Sequence, residues 1–323
     1  MKKKAILIVL TLVIIAAFFI PFNQQKTVLI KSPFLSTYSL LANPANWEKW
    51  RPDLRKVMTA DSNEISLKKD SGSFLIKTQN DELEVKCKAN TFQIAETSNG
   101  KTSSYGYSLL PVADKLLNKT IIVADGKTNV LNYLIGKFWP SSIPNTHIED
   151  IKTFMETDSL RYGFKIFKTG VPESSLLVME REVSEKDKFT EATKILATLQ
   201  QYIRANDIKQ MQPVIAQFYE NVKDSVHVKV GFFINKEVKP GNGIQFNQMP
   251  KGAPLYAAKF RGPFSKRGEA VEALKQYFAD HSHQLVLLPF ETYLNNKLPV
   301  SDSDTISIQV NLGTFPSGSK STQ

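Results

Sequence analysis

Glu291 is the residue whose type and surroundings most invite chemistry. It lies in the segment PFETYLNN, between Phe290 and Tyr293 and after the apolar run LVLLP. A carboxylate among aromatic side chains is costly to remove from water unless it is paired or faces a cavity. The segment therefore allows two interpretations: the glutamate points to solvent and has no role, or it points inward and meets a ligand.

Other residues capable of chemistry lack the neighbours they need. His281 and His283 are spaced to share a metal ion, but a tight site needs about four ligands, and no cluster of Cys, His or Asp complements the pair. The PGNG stretch lacks the flanking strand, helix and lysine of a phosphate loop, so it predicts a turn. No Ser-His-Asp arrangement is recognisable. We therefore expect no metal and no cofactor.

Length and composition predict a globular protein of about two domains. The chain has 323 residues, of which 42% are hydrophobic and 10% aromatic, with a formal net charge of +10. Apart from three lysines at positions 2–4, the basic residues are dispersed and form no stripe or recognisable nucleic-acid module. We therefore expect no nucleic-acid partner.

The N-terminus resembles a membrane segment. MKKK precedes AILIVLTLVIIAAFFIPF, about 18 residues without a charge, near the lower end of what spans a bilayer. The bulky FFIPF is a poor cleavage site, and the lysines favour the cytoplasmic side. We expect an uncleaved anchor over residues 1–25 in a bacterial inner (cytoplasmic) membrane, with the remainder periplasmic or extracytoplasmic. A cleaved signal peptide is the alternative.

Residues 26–158 alternate in a way that predicts a sheet between two helical segments. A strand over 26–33 and a helical stretch after it precede several short β-rich pieces separated by polar turns, as in an antiparallel meander. Two further strands are predicted around an Asp125-Gly126 turn. Ile148, Ile151 and Phe154 then share one face of a helix that ends the segment.

The chain then begins a second α+β region, residues 159–315, followed by a polar tail at 316–323. Apolar residues in segment 188–205 recur at helical spacing, which predicts an amphipathic helix. A second helix follows after further strands, and a last strand ends the region. The order predicts two similar strand–helix–strand halves. The overall fold class is α+β: a membrane helix, an antiparallel sheet domain and a second α+β domain.

The first region resembles the START-like superfamily (SRPBCC, polyketide cyclase/dehydrase type). The resemblance is carried by VLIKSPFLSTYSLLANPANWEKWRPD, with Ser32-Pro33 in the first turn and Trp47 and Trp50 before Pro52. It implies a helix-grip domain over 26–158, in which a sheet curls around a C-terminal helix to form an apolar cavity. Trp47 and Trp50 would then contact a ligand, or serve as core aromatics.

The second region resembles the GyrI-like (gyrase-inhibitor-like) effector-binding domain, of the type attached to AraC-like regulators. ATLQQYIRAND, FYENVKDSVHVKVGFFI, AAKFRGPF and PFETYLNN carry the resemblance. It implies that Glu291 lies in a pocket between the two halves with Tyr293, Tyr219 and Phe264 as aromatic neighbours. A carboxylate among ring faces attracts a lipophilic cation by charge and by cation–π contact.

Lys229 departs from the family pattern, because many members carry an acidic residue two positions before the glycine of VKVG. A lysine facing inward would weaken the binding of cations, so a neutral or anionic ligand becomes possible. Some relatives are hydrolases that activate water with a Glu and a Tyr. In this chain Glu291 would be the general base, with Tyr219 or Tyr293 as its partner.

Three functions follow, in order of preference. The first is a membrane-anchored protein that binds a lipophilic small molecule and has no DNA-binding module. The second is a hydrolase or isomerase that acts on a reactive or xenobiotic small molecule through Glu291. The third is a scaffold whose pockets are filled by Phe232, Phe233 and Phe264.

Overall fold

The computed structural model describes residues 21–51, 54, 66–70, 72–77, 81–113, 118–129, 147–220 and 225–315. Contacts between residues divide the chain into two compact units, residues 1–161 and 162–323. The predicted polar tail at 316–323 lies outside the described residues. The assignment of the two regions to START-like and GyrI-like domains stays a prediction.

The first unit contains a seven-stranded antiparallel sheet with helices before and after most of its strands. The strand order is β1-β7-β6-β5-β4-β3-β2. In chain order the elements are β1 Pro21–Ile30, α1 Phe34–Ala42, α2 Trp47–Trp50, β2 Ser66–Asp70, β3 Ser73–Lys77, β4 Asp81–Lys88, β5 Thr91–Ser98, β6 Lys101–Pro111, β7 Thr120–Asn129, α3 Ile148–Glu156 and α4 Asp158–Arg161.

One face of this sheet packs on an apolar core. Tyr105, Tyr107 and Leu109 alternate along β6 and are buried, as expected of a strand with one face on the core. α3 packs against β1 and contributes Ile151 and Phe154 to the same core. The helical spacing of the apolar residues in this segment therefore predicts the helix correctly.

The predicted turn at Asp125-Gly126 is wrong, because β7 runs through both residues. Asp125 pairs with Gln25 and Gly126 with Gln24 of β1, while β6 lies on the other side of β7. On β6, Gly106 makes room for the aspartate, since a Cβ there would lie 2.8 Å from Asp125 Oδ1. An Asp-Gly pair favours a turn, but here two neighbouring strands hold the backbone extended.

The predicted N-terminal membrane helix over residues 1–25 is corrected by a strand. Residues 21–25 belong to β1 and pair with residues 125–129 of β7. Within the part of the chain that the structure describes, no helix is long and apolar enough to cross a membrane; residues 1–20 lie outside that part. The fold class with a membrane helix and the single-pass inner-membrane localisation are therefore withdrawn. Hydropathy measures side-chain transfer and cannot detect the partner strand that holds residues 21–25 extended.

The second unit contains an eight-stranded antiparallel sheet in the order β12-β9-β11-β10-β14-β15-β13-β8. In chain order its elements are β8 Ile166–Gly170, β9 Ser175–Ser184, α5 Lys188–Ala205, β10 Ile215–Glu220, β11 Ser225–Ile234, β12 Ile244–Gln248, β13 Pro254–Pro263, α6 Gly268–Asp280, β14 Leu285–Tyr293 and β15 Thr305–Thr314.

This unit repeats one strand–strand–helix–strand–strand arrangement twice. The first strand of each repeat pairs with the other repeat: β8 with β13 and β12 with β9. The strand β12 is not among the elements predicted from the sequence. β10 and β14 meet at the centre of the sheet, where Ala216 pairs with Glu291. The junction of the two repeats therefore lies at the candidate glutamate.

The two faces of this sheet pack differently. α5 lies against β9 and β11, and α6 against β13 and β15, over a large core that includes Phe232 and Tyr293. Phe233 and Phe290 belong to a separate, smaller cluster. Neighbouring residues of a strand point to opposite faces, so Glu291 shares the helix-covered face with Tyr293, and Phe290 lies on the other face.

Candidate functional site: a central groove and a buried ion pair

A groove opens where the two repeats meet. β10 and β14 pair at two positions only, Ile215 with Thr292 and Ala216 with Glu291, and register shifts interrupt β14 before Phe290. A bulged strand bends and leaves ladder groups unpaired. Side chains of β10 form hydrogen bonds with one such unpaired backbone group.

The carbonyl oxygen of Pro289 accepts these side-chain hydrogen bonds. Gln217 Nε2 donates to it at 3.0 Å and the hydroxyl of Tyr219 donates to it as well. Tyr219 is therefore engaged with the backbone of β14 and makes no hydrogen bond to Glu291. Burial first, and the charge of Glu291 second, raise the pKa of this tyrosine above its usual value, so it is neutral at physiological pH.

The cavity at this junction, which we call the central groove, has a volume of about 470 Å³. This volume lies within the range of small-molecule sites, about 300–1,000 Å³. Most of its lining is apolar and comes from β9, β10, β11 and β14: Leu176, Val178, Ile215, Phe233, Leu288 and Phe290. The fully buried Phe233 thus lines the groove without filling it, contrary to what a vestigial pocket would require.

Lys229 is the one charged residue among the described residues that line the central groove, beside the amides of Gln217, Asn247 and Gln248. Its Nζ lies 3.1 Å from Glu180 Oε2. Partial burial acts to raise the pKa of Glu180, but the hydrogen bond and charge of Lys229 hold it below its usual value. Lys229 is therefore held at the groove by an ionised partner.

A second cavity of about 720 Å³, which we call the lateral cavity, adjoins the groove. The two share Val286 and Leu287 of β14. Leu288 and Val286 are 63% and 38% exposed, which is high for apolar side chains at a concave surface. An apolar strip therefore connects the two cavities.

Gly231 leaves no room for a side chain at the groove. A Cβ there would lie 2.6 Å from Val178 Cγ1 and 2.7 Å from the carbonyl oxygen of Leu177. We expect Gly231→Ala to lower the free energy of unfolding by about 1–3 kcal/mol, as overpacking does. Gly241→Ala is the matched control, because no atom lies within 4 Å of its Cβ position. Equal stability of the two variants in urea unfolding would contradict this close packing.

Glu291 lies on the opposite, helix-covered face, where it is 6% exposed. Its Oε1 accepts a hydrogen bond from Arg267 Nε at 3.0 Å, and its Oε2 accepts one from the hydroxyl of Tyr293 at 2.5 Å. Burial raises the pKa of Glu291, while the charge of Arg267 and both hydrogen bonds oppose the rise. The carboxylate therefore points inward and is paired within the chain.

Arg267 completes this site and was not foreseen as a site residue. Its guanidinium lies 3.7 Å from the ring centroid of Phe264 and 5.8 Å from that of Phe218. Its Nη1 also donates to the Phe264 carbonyl oxygen at 3.3 Å. The sequence signal that could have revealed it is its position just before α6, three residues after Phe264. Arg267 thus occupies the position that a cationic ligand of Glu291 would take.

Phe264 is fully buried between two cations. Lys188 Nζ lies 5.5 Å from its ring centroid and forms ion pairs with Asp302, at 2.9 Å, and with Glu185. Phe189 meets the ring edge to face at 5.0 Å. Phe264 thus connects α5 with the segment that carries Arg267.

These positions separate the predicted ligand-binding residues into two groups. Glu291, Tyr293 and Phe264 form one buried cluster, whereas Lys229 lines the central groove and Tyr219 binds the carbonyl of Pro289. A general base needs an oxygen within reach of the proton it removes. Both oxygens of Glu291 are occupied, so this geometry offers the hydrolase hypothesis no support.

In the first unit, Trp47 and Trp50 are core residues. Trp47 is fully buried, and its Nε1 donates to the carbonyl oxygen of Leu41 at 2.9 Å. The two indole rings lie 4.8 Å apart. Next to them, Arg51 is 4% exposed and forms an ion pair with Glu96 at 2.6 Å. The sequence did not predict this contact, because it joins the residue after α2 to the distant strand β5.

His281 and His283 take part in an aromatic cluster. His281 stacks on Tyr277 with ring centroids 4.0 Å apart, and His283 lies 4.6 Å from Tyr256. Burial, followed by the charges of His281 and Lys168, lowers the pKa of His283. His283 is therefore neutral at physiological pH.

Comparison with known proteins gives distant structural similarities. No family model and no curated protein matches the chain. Among solved structures, the C-terminal domain of EcmrR is 18% identical; the match covers 47% of this chain and 97% of that chain, with a TM-score of 0.38.

Two further structures match a similar share of the chain. A hydrolase from Listeria innocua is 11% identical over 46% of this chain and 91% of its own, with a TM-score of 0.34. SAV2435 bound to tetraphenylphosphonium is 8% identical over 46% of this chain and 93% of its own, with a TM-score of 0.28. At these TM-scores no function is transferred to this chain.

Proposed function

We propose that the second unit binds a lipophilic small molecule in the central groove. The observation that carries the proposal is a cavity of about 470 Å³ at the junction of two repeats, with apolar walls and a few polar groups. Binding sites of this composition occur where repeats or domains meet. The proposal concerns the binding of a ligand and involves no chemical step.

Exposure of Leu288 supports this proposal. An apolar side chain that is 63% exposed at the edge of an apolar cavity gains stabilisation when a ligand covers it. Full burial of a leucine side chain contributes about 1.5–3 kcal/mol. Leu288 is also a suitable test position, because its replacement removes little packing from the folded protein.

Binding of the neutral dye Nile red to the full chain tests the proposal. We expect saturable binding with one dominant site, and Leu288→Asp should weaken it at least about tenfold, because a carboxylate replaces an apolar contact with the dye. Fluorescence titration provides the measurement. Leu294→Asp is the matched control: Leu294 is 42% exposed and lines neither the central groove nor the lateral cavity.

Two results would contradict the proposal. Binding that does not saturate would show that the dye associates with apolar surface in general. Equal loss of affinity in Leu288→Asp and Leu294→Asp would show that negative charge on the surface, and not the groove, sets the affinity.

A further inference from the structure

All charged residues that line the two connected cavities, within the described part of the chain, are lysines. The central groove has Lys229, and the lateral cavity has Lys168 and Lys251. Glu180 and Glu173 pair with Lys229 and Lys251, each at 3.1 Å, but neither glutamate lines the central groove or the lateral cavity. The charged groups on the lining itself are thus all cationic, and two of the three are paired with a carboxylate outside the lining.

We propose that the ligand of the central groove is a lipophilic monocarboxylate whose anion binds Lys229 Nζ. This inference rests on the proposed function of the groove and deepens it by naming the chemical class of the ligand. The apolar strip of Val286, Leu287 and Leu288 receives the hydrocarbon part, and Lys229 at the wall receives the charged end.

Lys229 has the geometry for this role. Lys229 lines the central groove, and its side chain is 27% exposed, so it is only partly hydrated. An ammonium group carries three N–H donors, of which the contact with Glu180 Oε2 engages one. The Glu180 contact keeps the lysine at the groove wall, while its negative charge competes with a bound anion for the ammonium group.

The charge of Lys229 determines which class of ligand the groove favours. A lipophilic cation would meet Lys229 with no carboxylate among the described lining residues, so it is repelled. A neutral molecule of the same shape gains the apolar contacts alone. A carboxylate gains these contacts and a charge-assisted hydrogen bond, which is stronger than a neutral one.

Three probes of equal chain length test the inference on the full-length protein: decanoate, decanol and decylammonium. We expect decanoate to bind about tenfold more tightly than decanol, since a hydrogen bond to a charged group contributes at least that factor, and decylammonium to bind most weakly. Isothermal titration calorimetry below the micelle-forming concentration measures all three. Lys229→Gln should remove the preference for decanoate over decanol.

Glu180→Gln provides a second variant with the opposite expected effect. It releases Lys229 from its carboxylate partner, so decanoate should bind several-fold more tightly while decanol binds as before. A lysine with a structural role alone would show no such gain. Lys259→Gln is the matched control, since Lys259 is an exposed lysine of β13 that lines neither cavity.

The outcomes separate the inference from the proposed function. Equal affinity for decanoate and decanol, or tighter binding of decylammonium, would overturn the inference while the groove remains a lipophilic site. Loss of decanol binding in Lys229→Gln would also overturn it, because the lysine would then maintain the groove itself. If none of the three probes binds, the proposed function fails and the inference fails with it.

Discussion

Arg267→Met is expected to lower the free energy of unfolding of the second unit by about 3–5 kcal/mol at neutral pH. The substitution keeps an apolar side chain beside Phe264 but leaves the carboxylate of Glu291 buried without its cation. An uncompensated buried charge costs much more than the loss of a surface ion pair. Urea unfolding, followed by hydrogen exchange of peptides from β14 and α6, measures the effect.

The loss of stability in Arg267→Met should depend on pH. Burial raises the pKa of Glu291 in the folded state. As pH rises, the carboxyl of Glu291 therefore loses its proton in the unfolded chain before it does so in the folded chain. Stability is lost between the unfolded-state pKa and the folded-state pKa. Arg267 opposes the shift, so its removal raises the folded pKa further and extends this window upward. Below about pH 4, Glu291 is protonated in both states, and the variant should there approach the parent in stability.

A double variant provides the control for the charge argument. Arg267→Met combined with Glu291→Leu replaces the pair by apolar groups, which is often neutral or stabilising, so most of the lost stability should return. The second unit, residues 162–323, contains no tryptophan, so tryptophan fluorescence reports whether the rest of the chain is unaffected. A double variant as unstable as Arg267→Met would contradict the explanation by unpaired charge.

Phe264→Ala is expected to destabilise the second unit by a similar amount, about 3–5 kcal/mol. The ring is fully buried and contacts Phe189, Phe218 and Arg267, so its removal leaves a cavity and takes away the surface on which the guanidinium stacks. The same urea and hydrogen-exchange measurements apply, with peptides from α5 added because Phe189 lies there.

Phe264→Leu distinguishes the loss of packing from the loss of the aromatic face. Leucine fills most of the cavity, so this variant should retain more than half of the stability that Phe264→Ala loses, while the cation–π contact with Arg267, about 0.5–2 kcal/mol, is absent in both. If Phe264→Leu were as unstable as Phe264→Ala, the ring face would matter more than its volume. If both matched the parent, the buried cluster would have no role in stability.

Local periodicity predicted most helices and strands correctly, because each element is formed by contacts that repeat along the chain. The segment 188–205 was predicted as a helix from the spacing of residues such as Ala192, Ile195 and Leu199, and α5 has these bounds. Where local signals failed, a distant strand was responsible. β1 extends into the predicted membrane segment because it pairs with β7, and β7 passes straight through Asp125-Gly126 for the same reason.

The candidate site required more than periodicity. The sequence by itself determined that Glu291 and Tyr293 share a strand face, since residues two apart point the same way, and that Lys229 could disfavour cations. Only the tertiary structure decided which face each residue occupies: the pairing of β10 with β14 turns Glu291 towards the helices, where Arg267 neutralises it. Lys229 lies on β11, the neighbour of β10, and lines the groove at the same junction. Charge pairing and cavity formation depend on strands far apart in the chain, so no local pattern records them.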